Sequence, residues 1–342
     1  MINFDSKQII KSFLTELPDR SQDILAQRYG LGNQLNKLTL EAIGQKYGIT
    51  RERVRQIENH SLKGIRKSES FGNAGDVFNE LSTLIELEGG VVVEDNLLDY
   101  LSKDKLAQNN LYFLLVLGDA FTREKSDDEF KARWFVDREK SNSILGVLKD
   151  IHKNFDEADK LITEEEILSL VRQEIKKRKD IQKAEERHIK NWLSLSKKID
   201  KNPFDEWGLA TSQNIKLRGI RSYSYLVARQ NGSPMHFTEV AEMIKKCFDK
   251  KVHIATCHNE LIKDKRFVLV GRGLYALAEW GYSQGIVRDV VRDILEKNGP
   301  LTKKEVVDKV LKERYVKENT VIVNLQNPNF FNKNSDGTYS II

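Results

Sequence analysis

The sequence has very little cysteine or proline and no long apolar run. Its 342 residues include two cysteines and five prolines, and no apolar stretch approaches the roughly 20 residues that cross a bilayer. Cys247 and Cys257 lack the short paired spacing of a zinc site, so we expect two reduced thiols and no metal. The N-terminus lacks the basic-then-apolar layout of a secretory signal. These absences predict a cytoplasmic protein.

The motifs of common catalytic sites are missing as well. The sequence contains no G-x-x-x-x-G-K-[ST] phosphate loop, no H-E-x-x-H zinc helix and no G-x-S-x-G nucleophile elbow. Gly271-Arg272-Gly273 stands between two predicted strands, which indicates a turn and not a phosphate cradle. The acidic run Glu164–Glu166 follows Thr163 at a predicted helix start, where it favours the helix dipole. We therefore expect neither enzymatic activity nor a cofactor.

Charge is unevenly distributed along a chain that is long enough for several domains. Residues 1–70 carry 12 basic and 8 acidic side chains, whereas residues 71–140 carry 8 and 15. Residues 217–282 are basic again, with 11 against 6. Because contact with phosphate requires basic surface, the two basic segments suit nucleic acid and the acidic one suits a protein partner.

The first segment has the signals of a helix-turn-helix. Thr39 is a predicted cap for a helix from Leu40 to Tyr47, Gly48 allows a tight turn, and Thr50 caps a longer helix to about Ile65. The stretch 68–75, rich in Ser, Gly and Asn, predicts a linker. The charged run from Arg172 to Lys190 predicts one long helix with a solvated face.

The rest of the chain repeats one layout about every 60–75 residues: helices, then short strands around a polar turn, with an aromatic residue in the last strand. Three helices followed by a β-hairpin are the winged-helix arrangement. We predict a mainly α protein in which the N-terminal helix-turn-helix precedes tandem winged-helix (α+β) units. The predicted domains are residues 1–70, 76–140, 141–216 (with the long charged helix), 217–282 and 283–342.

The second helix of the predicted helix-turn-helix opens with side chains suited to reading DNA. The spacing of Arg51, Glu52, Arg55 and Gln56 places them on one outward face. Arginine can bind guanine through two hydrogen bonds, glutamine can do the same with adenine, and glutamate accepts from cytosine. The N-terminal turns of a recognition helix are where base edges are met. The alternative is a helix whose charges are merely solvated.

Leu17-Pro18-Asp19-Arg20, Gln27-Arg28-Tyr29-Gly30-Leu31 and the stretch 39–58 resemble region four of primary bacterial sigma factors. The resemblance implies base reading by Arg51, Glu52, Arg55 and Gln56, and contact with the DNA backbone by Arg20, Arg28, Thr39 and Leu40. It also implies that the segment reads the upstream (−35-type) promoter hexamer and docks on the flap of the RNA polymerase β subunit. About sixteen residues precede Leu17, so we do not expect a complete sigma factor.

A second resemblance covers about residues 220–282. The segments 232–241, 264–267 and 273–280 are similar to the HARE-type winged-helix domain, which also forms the folded part of the polymerase δ subunit. Lys250, Lys251, Arg266 and Arg272 are candidates for secondary phosphate contacts, with a solvated rim as the alternative. Phe267 and Trp280 are expected in the core.

Together these observations predict a sequence-specific, double-stranded DNA-binding protein associated with transcription in a bacterial or phage setting. Its expected partners are promoter-like DNA and RNA polymerase, with no membrane and no small-molecule substrate, and we expect it to be nucleoid-associated. Two alternatives remain open. One is a DNA-recognition accessory subunit of a DNA-modification or restriction system, and the other is a polymerase-binding adaptor that docks through its acidic segment.

Overall fold

A computed structural model describes residues 2–155, 160–181, 184–282 and 285–342. The chain is mainly α-helical with small antiparallel sheets, as predicted. It divides into two compact units, residues 1–211 and 212–342. No helix in the described ranges is both long and apolar enough to cross a membrane.

The first five helices are the two helices of the predicted helix-turn-helix and three flanking helices. They are α1 (Ser6–Thr15), α2 (Asp19–Tyr29), α3 (Leu40–Tyr47), α4 (Arg51–Arg66) and α5 (Glu69–Gly72). Thr39 caps α3 by accepting from the amide of Ala42, and Thr50 caps α4 by accepting from the amide of Arg53. Gly48 ends α3 in the left-handed region at φ 64°, which glycine adopts without a steric cost. The local sequence therefore dictates both ends of the turn.

Two segments then follow one order of elements within the first unit. The first contains α6 (Gly75–Leu87), β1 (Val91–Val93), α7 (Glu94–Leu101), α8 (Lys105–Leu117), β2 (Thr122–Glu124) and β3 (Arg133–Phe135). The second contains α9 (Arg138–Lys153), α10 (Glu164–Lys176), α11 (Glu186–Leu193), β4 (Ile199–Lys201) and β5 (Trp207–Leu209). In the second segment, an isolated bridge between Ile162 and Trp207 takes the position in the order that β1 has in the first segment.

The second unit repeats the same order twice. Its first segment contains α12 (Ile220–Asn231), β6 (Met235–His236), α13 (Phe237–Phe248), α14 (Ile254–Lys263), β7 (Phe267–Leu269) and β8 (Leu274–Leu277). Its second contains α15 (Val287–Asn298), β9 (Leu301–Thr302), α16 (Lys303–Glu313), α17 (Glu318–Leu325), β10 (Phe331–Lys333) and β11 (Thr338–Ile341). In all three three-stranded sheets the last strand lies in the middle, antiparallel to both neighbours. The assignment of these segments as winged-helix units stays a prediction, as do the five domain boundaries.

Two local predictions are wrong. The predicted linker 68–75 contains α5, because Ser68 caps that helix and Phe71 packs between Phe13 and Phe78, with ring centroids 6.0 and 4.9 Å away. The predicted long helix from Arg172 to Lys190 is instead the end of α10 and the start of α11, and residues 182–183 between them lie outside the described ranges. Ile175 and Ile181 are both buried in the same apolar core.

The first unit has cores that cross the segment boundaries. One core joins α1, α2 and α4 to α6, α7 and α8, with Phe13, Leu25, Phe113 and Leu114 all fully buried. A small separate cluster of Ile24, Ile43 and Val54 holds α2, α3 and α4 together. The helix-turn-helix therefore shares its larger core with the segment that follows it.

Candidate nucleic-acid interface

The N-terminal half of α4 has one buried side and one open side. Val54 is fully buried and Ile57 packs partly on the same cluster, which places α4 against α2 and α3. The Oγ1 atom of Thr50 accepts from the amide of Arg53 at 3.2 Å and so begins the helix. Buried apolar residues three apart and a capped first turn are sufficient to orient a helix of this length.

All four predicted base-reading residues, Arg51, Glu52, Arg55 and Gln56, are exposed. The guanidinium of Arg55 donates to both carboxylate oxygens of Glu52, from Nε at 2.8 Å and from Nη2 at 2.7 Å. The adjacent Arg55 holds the pKa of the Glu52 carboxyl below its usual value, chiefly through this hydrogen bond. Glu52 is therefore ionised at neutral pH and orients Arg55 along the helix surface.

Gln56 is oriented by a second contact on α4. Arg53 Nη1 donates to Gln56 Oε1 at 3.2 Å. Gln56 also hydrogen-bonds the Glu52 carboxylate and helps to lower the pKa of that group. The structure thus brings the four residues together on open surface, and their role in reading bases stays a prediction.

The predicted backbone-contacting residues differ in their surroundings. Arg20 is exposed and lies over the ring of Tyr47, 5.5 Å from its centroid. Thr39 is exposed and caps α3, with its Oγ1 accepting from the amide of Ala42 at 3.1 Å. Leu40 packs partly on the small cluster below α3. The remaining amides in the first turn of α3 have no partner within the helix, which suits an anion.

Arg28 has structural contacts that the sequence did not reveal. Its Nη1 donates to the carbonyl of Leu38 at 3.1 Å, and its Nε donates to Glu58 Oε1 at 3.3 Å. The same oxygen accepts from the buried hydroxyl of Tyr29 at 2.8 Å. Burial first, and then the charge of Glu58, raise the pKa of Tyr29 far above its usual value. This network joins α2 to the buried side of α4.

The four candidates for secondary phosphate contacts lie in the second unit. Lys250 and Lys251 are exposed between α13 and α14, and Arg272 is exposed at the turn between β7 and β8. Arg266 instead donates to Asp264 Oδ2 at 2.7 Å and to Asn214 Oδ1 at 2.8 Å. The guanidinium of Arg266 is thus already held by neighbours within its own unit.

The described ranges contain no group of three or more His, Cys, Asp or Glu side chains placed to hold a metal ion. Cys247 is exposed and Cys257 is buried, and both are free thiols. Burial raises the pKa of the Cys257 thiol, so this group is neutral at physiological pH. The turn at Gly271–Gly273 connects β7 and β8, as its sequence predicts.

Comparison with known proteins shows a family similarity in the segment that contains α2, α3 and α4. The family model described as Sigma-70, region 4 matches residues 13–67. The RNA polymerase sigma factor RpoD of Helicobacter pylori is 40% identical over 65 residues, which are 19% of this chain and 10% of that protein. The RNA polymerase sigma factor RpoS of Coxiella burnetii is 41% identical over 64 residues, which are 19% of this chain and 18% of that protein.

The resemblance of residues 220–282 to a HARE-type domain stays a prediction. The matched residues cover less than a fifth of each of these two sigma factors, so the similarity concerns one segment. Residues 13–67 of this chain are similar to region 4 of the sigma-70 factors, and the prediction made from their sequence is confirmed.

Proposed function

We propose that this chain binds double-stranded DNA in a sequence-specific manner and acts in transcription. The observation that carries the proposal is the open surface of α4, where Arg51, Glu52, Arg55 and Gln56 lie together in a segment similar to sigma region 4. Helix α4 has 16 residues, a capped N-terminus and an opposite side that packs through buried apolar side chains. A helix of these dimensions can enter a major groove.

The contacts on α4 favour reading of bases over simple solvation. Arg55 presents a planar donor group that the bidentate pair with Glu52 keeps in place. A guanidinium held in this way loses less side-chain entropy on binding a guanine edge than a free one does. The Glu52 carboxylate retains acceptor capacity for a cytosine amino group on the neighbouring base pair.

The DNA backbone would be held beside this helix. We assign one phosphate to the N-terminal turn of α3, next to Thr39 and Leu40, because free amides and the helix dipole attract an anion there. Arg20, exposed on the ring of Tyr47, supplies a second contact. Arg28 would add positive charge near the same DNA backbone, although its guanidinium already donates to the carbonyl of Leu38 and to the carboxylate of Glu58.

The finer expectations belong to this proposal as well. The DNA site would be a −35-type promoter hexamer, and RNA polymerase would be the protein partner, with its β flap as the docking element; both rest on the similarity of residues 13–67. The four segments from α6 to β11 would be winged-helix units, in keeping with their common order of elements. We place Lys250, Lys251 and Arg272 as phosphate contacts of the third of them, with Arg266 a weaker candidate because of its internal partners.

The test is a binding measurement with the full chain. Fluorescence anisotropy would compare a duplex that contains the upstream hexamer with a duplex of the same length and composition in which the hexamer is scrambled. We expect tighter binding to the first by tenfold or more at physiological salt, because base mismatches are costly. Equal affinities would refute sequence-specific reading of this hexamer.

A pull-down from the host distinguishes the protein partners. Recovery of RNA polymerase would support a role in transcription. Recovery of a methylase or nuclease without polymerase would instead support an accessory subunit of a DNA-modification system.

A further inference from the structure

Positive charge collects where the helix-turn-helix meets the segment that follows it. Arg28 on α2 and Lys37 in the loop before α3 belong to the sigma-like segment 13–67, whereas Lys105 on α8 and Arg123 on β2 belong to the next segment. Between them lies the ring of Tyr112, with Lys37 Nζ 3.8 Å and Arg123 Cζ 5.5 Å from its centroid. We name these four cations the basic seam.

The seam is held in place by the packing of α8 on the helix-turn-helix. Asn109 is almost fully buried, and its Nδ2 donates to the carbonyls of Gly30 and Leu35 at 3.0 and 3.2 Å. The ring of Tyr29 lies 4.8 Å from that of Phe113. The loop that carries Lys37 is thereby tied to the helix that carries Lys105 and Tyr112. The two halves of the seam therefore move together.

Two of the four cations have carboxylate partners. Glu58 pairs with Arg28, and Glu94 accepts from Nη2 of Arg123 at 2.7 Å. Within the described ranges, Lys37 and Lys105 have no carboxylate at ion-pair distance, and Lys105 Nζ donates to Gln108 Oε1 at 3.4 Å. Burial of the ammonium group, followed by repulsion from Lys105, lowers the pKa of Lys37. The free protein thus keeps uncompensated positive charge that a bound anion would neutralise.

The seam adjoins the predicted phosphate site at the start of α3. Lys37 precedes Thr39 by two positions, and Arg28 bonds the carbonyl of Leu38 between them. An ammonium anchored on an aromatic ring is a preorganised ligand for phosphate, because little side-chain entropy remains to be lost. Continuity with the α3 N-terminus favours a nucleic-acid backbone as the anion over an acidic protein.

We propose that Lys37 and Lys105 bind backbone phosphates outside the hexamer read by α4, so that the segment after the helix-turn-helix lengthens the DNA footprint. This inference rests on the proposed function, since it takes the N-terminus of α3 to lie on a DNA strand. It assigns to the otherwise acidic segment 71–140 one surface that contacts DNA.

The test compares the full chain with Lys37→Ala, Lys105→Ala and the double variant, using Lys176→Ala on α10 as a control of equal charge. Lys37, Lys105 and Lys176 are all exposed, so the variants should fold, and circular dichroism would verify this. Binding would be measured from 50 to 200 mM salt on three duplexes. The long duplex extends beyond the hexamer on both sides. Of the two shorter duplexes, one lacks the upstream flank and the other lacks the downstream flank.

The slope of log K against log salt is negative, and each lost phosphate contact reduces its magnitude by about 0.9. The double variant should therefore lose about 1.8 from the slope on the long duplex, so that its affinity deficit shrinks about tenfold between 50 and 200 mM salt. On the duplex that lacks the contacted flank, wild type and double variant should have equal slopes. Lys176→Ala should match wild type on all three.

Equal slopes for wild type and double variant on the long duplex would overturn the inference, and so would an equal loss on all three duplexes. Neither result depends on whether the hexamer is preferred, which wild type alone reports by comparison with the scrambled duplex. Failure of the seam and failure of the proposed function are thus separate observations.

Discussion

The attachment of α8 to the helix-turn-helix can be tested by replacing Asn109 with alanine. Asn109 gives two hydrogen bonds, to the carbonyls of Gly30 and Leu35. Gly30 is buried and Leu35 is 57% exposed, so only the first carbonyl would be left without water. We assign about 2 kcal/mol to that loss and about 0.5 kcal/mol to the other.

Alanine favours a helix over asparagine by about 0.6 kcal/mol, so the net destabilisation should be about 2 kcal/mol. In a unit of residues 1–211 this lowers the melting temperature by about 4–8 °C. Differential scanning calorimetry would measure the shift. Asn96→Ala on α7 is the matched control, because Asn96 is exposed and makes one bond of 3.3 Å to Ser194.

Equal melting temperatures for Asn109→Ala and Asn96→Ala would refute this account of the attachment. Gly30→Ala gives an independent check, since a Cβ there would meet Asn109 Nδ2 at 2.5 Å and the backbone has φ 71°. In the double variant the clash with Asn109 disappears, whereas the backbone strain, the close approach to Gln34 O at 3.3 Å and the loss of the two Asn109 hydrogen bonds remain. The two losses should therefore add to more than the loss of the double variant.

Two further predictions concern the DNA interface. Arg55→Ala should weaken binding to the hexamer duplex roughly 5- to 150-fold and relax preference at one base pair. Arg20→Ala, at a predicted backbone contact, should weaken all sequences alike, and indistinguishable base preferences of the two variants would contradict base reading by Arg55. Arg28→Ala should lower both the melting temperature and the DNA affinity, because Arg28 also bonds Leu38 and Glu58. Arg20→Ala should lower affinity alone, and an equal loss of melting temperature in calorimetry would count against this distinction.

Elements governed by neighbouring residues were predictable from the sequence. The helix from Leu40 to Tyr47 has both predicted ends, because Thr39 and Gly48 act within one turn of the chain. The hairpin of β10 and β11 follows from Asp336-Gly337, with Gly337 at φ 85°. Such signals depend little on the rest of the fold.

Features that depend on distant residues were not predictable. The run after Arg172 has uninterrupted helical character in its sequence, yet Arg178 turns to pair with Asp150 at 2.7 Å. That contact joins residues 28 positions apart, and no local pattern indicates it. Helix propensity is a weak preference that tertiary packing routinely overrides.

The candidate site shows the same division. The exposure of the four side chains on α4 follows from helical spacing and was expected. The second role of Arg28 depends on Glu58, which lies 30 residues away and is buried on the opposite side of α4. In the sequence, the signal for a partner was the position of Glu58, four residues after Val54 and four before Leu62 on the buried side of α4.

The core shared by the first helices and α8 limits how this chain can be dissected. A fragment ending at residue 70 would expose the side chains of α1, α2 and α4 that now face Leu111, Phe113 and Leu114. Apolar surface uncovered in this way promotes aggregation. The sigma-like segment therefore cannot be treated as an interchangeable cassette, and any truncation meant to isolate it should retain the whole first unit, residues 1–211, because a second core joins β1 and β3 to α9, α10 and α11.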